Sequence, residues 1–279
     1  MVKHSRSGTM RGNLFHYAVI AFLMLMIGGC SLQNSMLYFP SPDRPSEGFL
    51  KSFHLRSWEA SAGDFRGYIS DAPAPKQKGT VIVFHGNAGN AADRVYYLDA
   101  LVPLGYRVIL AEYPGYGGRK GDLGEASFVS DARASIRLAS EQFGKPIILL
   151  GESLGCGIAA AAAKDADISG IILITPWDTL LSIAKEKFPW LPVKWFLKDT
   201  YDSIGNLKTF LGRIAIAGAE RDEVIPVHHA MTLYGALTGD KKMWMIKAAG
   251  HNDWVDVVTP SWWKDITDFA AGGGREPVR

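Results

Sequence analysis

Five runs of consecutive apolar, mostly β-branched residues in the middle of the sequence constrain its fold more than any other feature. A strand with one solvated face alternates apolar and polar residues, whereas a continuously apolar strand is buried on both faces. The runs therefore predict a parallel sheet covered by helices on both sides. They are Thr80–Phe84, Arg107–Ala111, Pro146–Leu150, Gly170–Ile174 and Arg213–Ala217.

A sixth run, Met243–Ile246, is predicted to be the last central strand. Helical stretches separate the strands and give the alternation of a doubly wound α/β fold. Residues Phe49–Ser70 alternate in polarity instead, which predicts an antiparallel hairpin at the leading edge of the sheet. The predicted helices include Ala91–Leu101, Glu125–Phe143 and Leu154–Lys164.

The chain has 279 residues, of which 47% are apolar and 21% charged, so it is long enough to bury a full core. We expect one domain over residues 49–272, with a flexible tail over 273–279, and a monomer. The formal net charge is +2 and no basic cluster follows the first few residues. This balance argues against a nucleic-acid partner.

The N-terminus has the pattern of an export signal. Lys3, Arg6 and Arg11 precede the apolar run Ala18–Ile27, which is short for a bilayer span. Residues Ile27–Cys30 (Ile-Gly-Gly-Cys) resemble a bacterial lipobox. We expect a signal peptide over residues 1–29, a lipid on Cys30 and a protein held at the bacterial cell envelope, facing the periplasm.

The alternatives are an uncleaved signal anchor and an ordinary signal peptide, and both still export the domain. Ser31 follows the cysteine, a position where residues other than Asp accompany sorting to the outer membrane in some bacteria. Residues 30–48 contain three prolines and predict an extended membrane tether. Its apolar patch, Met36–Phe39, is compatible with packing on the domain or resting on lipid. With only Cys30 and Cys156 present, no disulfide is expected.

The connection over residues 176–210 is too long for a simple crossover and is rich in aromatic residues. Such an insertion after a central strand suggests a cap over a pocket. The alternative is that most of these side chains only pack the excursion onto the sheet. They include Trp177, Phe188, Trp190, Trp195, Phe196 and Tyr201.

The strongest motif is Gly151–Gly155 (Gly-Glu-Ser-Leu-Gly), which lies between a predicted strand and a helix of small residues. This context is typical of a nucleophile elbow, where a sharp turn raises the serine above the sheet and glycines let the two backbones meet. Ser153 is the predicted nucleophile. Cys156, one turn further on, is interpreted as a small packing residue.

A serine hydroxyl needs a base to take its proton and an acid to orient that base. Where such an elbow opens a helix, the acid and then the histidine follow the serine in the chain. Asp222 and His251 each follow a predicted strand, where open α/β sheets gather their sites. We therefore predict Ser153, Asp222 and His251 as a catalytic triad. The competitors are Glu220 and Glu223 for the acid, and His54, His85, His228 and His229 for the base.

Stabilising an oxyanion requires two backbone N–H groups, one after the nucleophile and one from the loop after an early strand. Leu154 supplies the first. For the second we choose Asn87, with Ala88 as a substitute, in the small-residue loop Phe84–Asn90. The same loop also reads as a simple turn into a helix.

Six motifs together make nearly the whole mature chain resemble a known family. It is similar to membrane-associated α/β-hydrolases related to eukaryotic alpha/beta-hydrolase-domain depalmitoylases and, more distantly, to prolyl-oligopeptidase and serine-aminopeptidase relatives. The resemblance implies an α/β-hydrolase fold with a mostly parallel eight-stranded sheet. One departure is Arg119, where relatives commonly carry Ser. The motifs are Phe84–Gly89, Tyr113–Gly117, Gly151–Gly155, Phe188–Pro192, Asp222–Pro226 and Gly250–Asp253.

The triad and the resemblance imply hydrolysis of an ester or thioester through an acyl-enzyme on Ser153, without a metal or organic cofactor. A cap and a membrane tether favour an apolar acyl group from a lipid or an acylated protein. One alternative is a lipid-anchored binding or scaffold module that has kept the fold and lost turnover. Another is a peptidase, although groups that would hold a chain terminus are not evident.

Overall fold

An eight-stranded, mostly parallel sheet forms the centre of the computed structural model, which describes residues 33–71, 77–164 and 166–272. Its strands are β2 (Leu55–Glu59), β3 (Phe65–Ser70), β4 (Gly79–Phe84), β6 (Tyr106–Ala111), β7 (Ile147–Glu152), β8 (Gly170–Ile174), β9 (Arg213–Ala219) and β10 (Lys241–Ile246). Their spatial order is β10-β9-β8-β7-β4-β6-β3-β2. Strand β3 pairs antiparallel with β2 and β6, and the other pairs are parallel. All six predicted strands are present, but β10 lies at the edge of the sheet and is not a central strand. The predicted hairpin is formed by β2 and β3, whereas residues 49–52, which the prediction included in it, are helical.

Two further short strands, β1 (Phe39–Pro40) and β5 (Ala88–Gly89), form a separate parallel pair. The helices are α1 (Glu47–Ser52), α2 (Tyr96–Leu101), α3 (Glu125–Phe143), α4 (Leu154–Ala163), α5 (Leu180–Lys187), α6 (Ser203–Leu207), α7 (His228–Ala236), α8 (Trp254–Val257) and α9 (Pro260–Ala271). Single 3₁₀ turns cover Ala91–Arg94 and Val193–Trp195. The predicted helix over 91–101 is thus a 3₁₀ turn followed by α2.

Each central strand contributes alternate residues to two apolar layers. In β4, Ile82 and Phe84 pack on one face with α3 and α4, while Val81 and Val83 pack on the other with α2 and α9. Because both layers are filled, every central strand must be apolar at successive positions. This explains the continuous runs in the sequence.

The segment predicted to be a tether over residues 30–48 differs from that expectation in its described part. Residues 33–37 are helical, and Tyr38 is buried against the core. Phe39 then donates its backbone N–H to Asn87 O at 2.9 Å, which places β1 against the loop after β4. From Gln33 onward the segment is therefore packed on the domain and does not form the extended tether that was predicted.

A buried carboxylate explains this packing. Asp199 accepts hydrogen bonds from Gln33 Nε2 (2.6 Å), Tyr38 Oη (2.6 Å) and the backbone N–H of Glu125 (3.1 Å). Burial, reinforced by Asp199, raises the pKa of the Tyr38 hydroxyl, so that hydroxyl remains a donor. Asp199 thereby joins the N-terminal segment, the start of α3 and the connection between β8 and β9.

Replacing Asp199 with alanine is expected to destabilise the domain substantially. The change leaves two buried donors and the partly buried N–H of Glu125 without this acceptor, at a cost of about 3 kcal/mol. For a domain of this size, such a loss lowers Tm by about 6 to 12 °C. Differential scanning calorimetry should show this shift, whereas Asp202→Ala, which removes only the cap of the short helix α6, should cost about 1 kcal/mol. Equal shifts of Tm in the two variants would contradict the role of Asp199 in holding the N-terminal segment on the domain.

The insertion between β8 and β9 contains α5, the second 3₁₀ turn and α6. Trp177 and Tyr201 are buried and pack this insertion onto the domain. Trp190 and Trp195 are 78% and 77% exposed, and Phe196 is also exposed. Packing on the sheet therefore accounts for only part of the aromatic content.

Several predictions concern residues outside the described part of the chain. These are the signal segment 1–29, lipidation of Cys30 and the tail over 273–279. Within the residues that the structure does describe, no helix combines the length and apolarity needed to cross a bilayer.

Candidate active site

Ser153 lies in the sharp turn between β7 and α4, with φ 52° and ψ −114°. A non-glycine residue at positive φ is strained and is held there by its surroundings. Here the serine N–H donates to Ile174 O on the adjacent strand at 3.0 Å. The turn brings the backbones so close that a Cβ on Gly155 would lie 1.9 Å from Phe84 O, and one on Gly151 would lie 2.5 Å from Gly155 O. Both glycines of the motif are therefore required sterically.

The structure brings the three predicted triad residues together in the predicted order. His251 Nε2 lies 3.0 Å from Ser153 Oγ, and His251 Nδ1 lies 2.7 Å from Asp222 Oδ2. All three side chains are largely buried, with relative exposures of 7 to 9%. Because the Asp222 carboxylate accepts at Nδ1, the neutral imidazole carries its proton there and presents a lone pair to the serine hydroxyl.

The loop after β9 fixes the Asp222 carboxylate. Asp222 Oδ1 accepts the backbone N–H groups of Val224 (2.9 Å) and Ile225 (2.7 Å), which leaves Oδ2 for the imidazole. Hydrogen bonds of this kind favour the ionised carboxylate and hold it in one orientation. The competing acids Glu220 and Glu223 are exposed on the same loop.

The other candidate nucleophile, Cys156, packs in the core. Its Sγ is fully buried and donates to Gly151 O and Ile174 O, both at 3.1 Å. Burial raises the pKa of this thiol well above its ordinary value, which disfavours the reactive thiolate. The packing interpretation of Cys156 therefore agrees with the structure.

The predicted oxyanion donors line the same cleft as Ser153 and His251. This cleft has a volume of about 490 Å³, and Asn87 and Leu154 both border it. His85 Nδ1 donates to Gly86 O at 2.7 Å, and Tyr116 Oη donates to Asn87 O at 2.8 Å. Since the N–H and C=O of a trans peptide point in opposite directions, these bonds orient the N–H groups of Asn87 and Ala88. His85, a competitor for the base, thus holds the loop instead.

A partly buried ion pair beside Ser153 was not predicted from the sequence. Glu152 Oε1 lies 3.2 Å from Arg94 Nε, while Oε2 accepts from Tyr96 Oη (2.5 Å) and Tyr97 Oη (2.8 Å). Glu152 occupies the variable position of the elbow motif, at the end of the buried strand β7. A carboxylate at such a position needs a cationic or hydrogen-bonding partner, and this was the signal in the sequence. The pair brings Arg94 to the edge of the cleft.

Arg119, the departure from the family pattern, has a structural role. Its guanidinium forms a two-pronged ion pair with Asp131 on α3, at 2.7 and 2.8 Å, and also donates to Glu112 O. A serine is too short for these contacts. The substitution therefore braces the loop after β6 rather than adding a charge to the cleft.

An apolar groove of about 400 Å³ adjoins the cleft. Gln33 and a set of apolar side chains from the cap line it, among them Phe188, Leu191 and Phe196. The cleft and the groove share five lining residues, namely Met36, Leu37, Leu180, Ile183 and Lys187. A molecule held at Ser153 therefore has a continuous apolar surface beside it.

The strand order, the elbow and the sequence of the three site residues define an α/β-hydrolase fold. Residues 75–193 match the family model Hydrolase_4, described as serine aminopeptidase, S33. The Pyrococcus furiosus esterase PF2001 has a similar structure, with a TM-score of 0.63 over 84% of this chain and 97% of that chain, at 16% identity. The protein accordingly has the α/β-hydrolase fold.

Curated sequence relatives match this chain at modest identity. The uncharacterized protein Rv2307c of Mycobacterium tuberculosis is 29% identical over 250 residues, which cover 84% of this chain and 88% of the relative. The rat lysophosphatidylserine lipase ABHD12 is 27% identical over 198 residues. That match covers 63% of this chain and 50% of the lipase, so it concerns half of the longer protein.

Proposed function

We propose that this protein is a serine hydrolase that cleaves carboxylic esters or thioesters of apolar acyl groups through an acyl-enzyme on Ser153. The observation that carries the proposal is the buried hydrogen-bonded chain from Asp222 through His251 to Ser153, at 2.7 and 3.0 Å, at the floor of a cleft. This arrangement turns a weak nucleophile into a reactive one.

In the first half of the reaction, His251 Nε2 takes the hydroxyl proton while Ser153 Oγ bonds to the acyl carbon. Negative charge develops on the former carbonyl oxygen, where the N–H groups of Leu154 and Asn87 stabilise it. The tetrahedral intermediate then collapses, the bond to the alcohol or thiol breaks, and His251 returns the proton to that leaving group. Asp222 stabilises the imidazolium in between.

In the second half, His251 Nε2 takes a proton from water while the water oxygen attacks the acyl carbon. Collapse of the second intermediate breaks the bond to Ser153 Oγ, which recovers its proton from His251. The carboxylic acid leaves and the resting site is restored. Each step uses protein side chains and water.

The apolar groove supports an acyl chain as the part of the substrate that is recognised. It borders the cleft through shared residues, among them Leu180 and Ile183 on α5. Burying one CH₂ group contributes about 0.8 kcal/mol, so each added CH₂ raises kcat/KM about fourfold until the groove is full. The name of the relative ABHD12, a lysophosphatidylserine lipase, is compatible with such a substrate.

A bulky side chain on the groove wall should therefore shorten the preferred acyl chain. Ala184 lines the groove without lining the cleft, so Ala184→Trp fills the groove while leaving the site open. With p-nitrophenyl esters, we expect kcat/KM for octanoate to fall about tenfold or more, while acetate changes less than about twofold. The matched control is Lys185→Trp, an exposed neighbour on α5. An octanoate rate that survives Ala184→Trp would remove the groove from the proposal.

We also propose that the protein acts at the envelope membrane, anchored through Cys30. The exposed side chains of Trp190 and Trp195 on the cap, together with Met36 and Phe39 at the cleft entrance, support this location. Tryptophan favours the interface between water and lipid because its ring is apolar and its N–H is polar. Metabolic labelling with a clickable fatty acid, compared with Cys30→Ala, tests the anchor.

The name of the matching family raises peptide cleavage as a second activity. An aminopeptidase needs a free carboxylate for the substrate's ammonium group, and Glu152 is the carboxylate among the described residues that line the cleft. Both of its oxygens are already held by Arg94 and two tyrosines. We therefore expect esters to be cleaved in preference to aminoacyl p-nitroanilides. The opposite preference would favour a peptidase, and inertness toward both would favour a binding module.

A further inference from the structure

Two histidines and a glutamate converge beside the cap, away from the hydrogen-bonded chain of the active site. Glu186 Oε2 lies 2.9 Å from His228 Nε2 and 3.1 Å from His229 Nε2. Glu186 is near the end of α5, and the histidines open α7. One ligand atom from each of the three residues lies within 4.8 Å of the other two.

The contact between His229 Nδ1 and Asp178 shows how the imidazole of His229 is oriented. His229 Nδ1 lies 2.8 Å from Asp178 Oδ1, a buried contact, and Asp178 Oδ1 also accepts the Thr179 N–H at 2.8 Å. An ionised carboxylate only accepts hydrogen bonds, so Nδ1 carries a proton and Nε2 is the nitrogen left to bind a metal ion. A carboxylate behind a histidine is the usual support of a metal-binding imidazole.

Without a metal ion, His229 would need protons on both ring nitrogens to meet Asp178 and Glu186, whereas His228 can meet Glu186 as a neutral imidazole with its proton on Nε2. One carboxylate oxygen faces the Nε2 atoms of two imidazoles, so each contact requires a proton on Nε2 or a shared positive ion. A single divalent ion would satisfy both nitrogens and balance the charges of Glu186 and Asp178.

We propose that Glu186, His228 and His229 bind one divalent transition-metal ion of the Zn²⁺ class, with Asp178 supporting His229. Imidazole nitrogen with one carboxylate suits Zn²⁺ and Co²⁺, while Mg²⁺ and Ca²⁺ prefer oxygen donors throughout. The side chains of His228 and Glu186 are 57% and 42% exposed, so water completes the coordination sphere. The site joins α5, which lines the apolar groove, to α7, which follows the loop that carries Asp222.

The spacing of these residues in the sequence did not indicate the cluster. His228 and His229 are adjacent, whereas zinc-binding motifs separate their histidines by several residues. Glu186 lies in the cap, and only the packing of α5 beside α7 brings it within reach. The proposal therefore rests on the three-dimensional arrangement, and it does not depend on Ser153 being a catalytic residue.

Metal binding by the purified full-length chain in detergent micelles, carrying an affinity tag without histidines, tests the proposal. Isothermal titration calorimetry should show one Zn²⁺ per chain, Zn²⁺ should raise Tm, and Co²⁺ should give the visible absorption of a low-coordinate N/O site. Mg²⁺ and Ca²⁺ should neither bind measurably nor raise Tm. The variants Glu186→Gln and His228→Ala, both at partly exposed positions, should weaken the Zn²⁺ affinity about tenfold or more.

The matched control is His54→Asn, which removes an exposed histidine elsewhere and suits the positive φ of that residue. It should bind Zn²⁺ as the wild type does. Circular dichroism without metal checks that each variant is folded. Absence of saturable binding in the wild type, or equal affinity in the wild type, Glu186→Gln and His228→Ala, would overturn the site and leave a proton-bridged ion pair.

Discussion

Replacing Ser153 with alanine is expected to lower kcat/KM for p-nitrophenyl ester hydrolysis by about 10⁵ to 10⁶-fold. In the proposed mechanism, this change removes the atom that bonds to the acyl carbon, while the cleft keeps its shape. Residual activity comes from the oxyanion donors and from binding. Steady-state kinetics with octanoate and butyrate esters measure the loss, and Tm should stay within a few degrees of the wild type.

The matched control is Cys156→Ala, one turn further along α4. Its thiol is buried and serves as a donor to two carbonyl oxygens, so removing it should leave kcat/KM within about threefold and cost some stability. Loss of activity in Cys156→Ala with retention in Ser153→Ala would reverse the assignment of the nucleophile. Retention in both would mean that hydrolysis occurs elsewhere on the molecule.

Replacing Asp222 with asparagine should lower kcat by about 10⁴-fold, although the new side chain is nearly the same shape. The amide oxygen is expected to occupy the place of Oδ1, which accepts from Val224 and Ile225. The amide NH₂ then faces His251 Nδ1 and forces its proton to Nε2. In that tautomer the imidazole donates to Ser153 and no longer accepts its proton.

The control for this change is Glu223→Gln, which removes an exposed carboxylate next to Asp222. Because that carboxylate lies outside the chain of hydrogen bonds, kcat should change less than about twofold. Measuring kcat of Asp222→Asn across the pH range distinguishes a variant that has lost its general base from one whose site is misfolded. A wild-type kcat in Asp222→Asn would show that the contact between Asp222 and His251 does not orient the base.

The parts of the fold that the sequence predicted are those with local causes. Strands buried on both faces need continuous apolar runs, and the backbone contact at the elbow needs glycine at 151 and 155. The order of Ser153, Asp222 and His251 follows the order of the strands that carry them. These features depend on short stretches of chain, so their residues could be named in advance.

The unpredicted parts depend on contacts between distant segments. Gln33 and Asp199 are 166 positions apart, and their hydrogen bond converts an expected tether into a packed part of the domain. The prolines of that segment predict an extended backbone, but they carry no information about the buried carboxylate that the segment contacts. Cys30 and the signal segment remain predictions, since they lie outside the described residues.

The cap shows the same limit from a different cause. Aromatic content alone does not separate Tyr201, which is fully buried, from Trp190, which is largely exposed. Which face of the insertion meets the sheet depends on how α5 and α6 are positioned, and side-chain type carries little of that information. The apolar groove and the cluster of Glu186, His228 and His229 both result from this positioning.

Labelling of the purified full-length chain with a fluorophosphonate probe, followed by peptide mass spectrometry, reports directly whether Ser153 is the nucleophile. We expect one probe per chain, bonded to Ser153 Oγ, with no labelling of Ser153→Ala and strongly slowed labelling of His251→Ala. A folded wild type that stays unlabelled and inert toward esters, or a probe attached to another residue, would contradict this expectation.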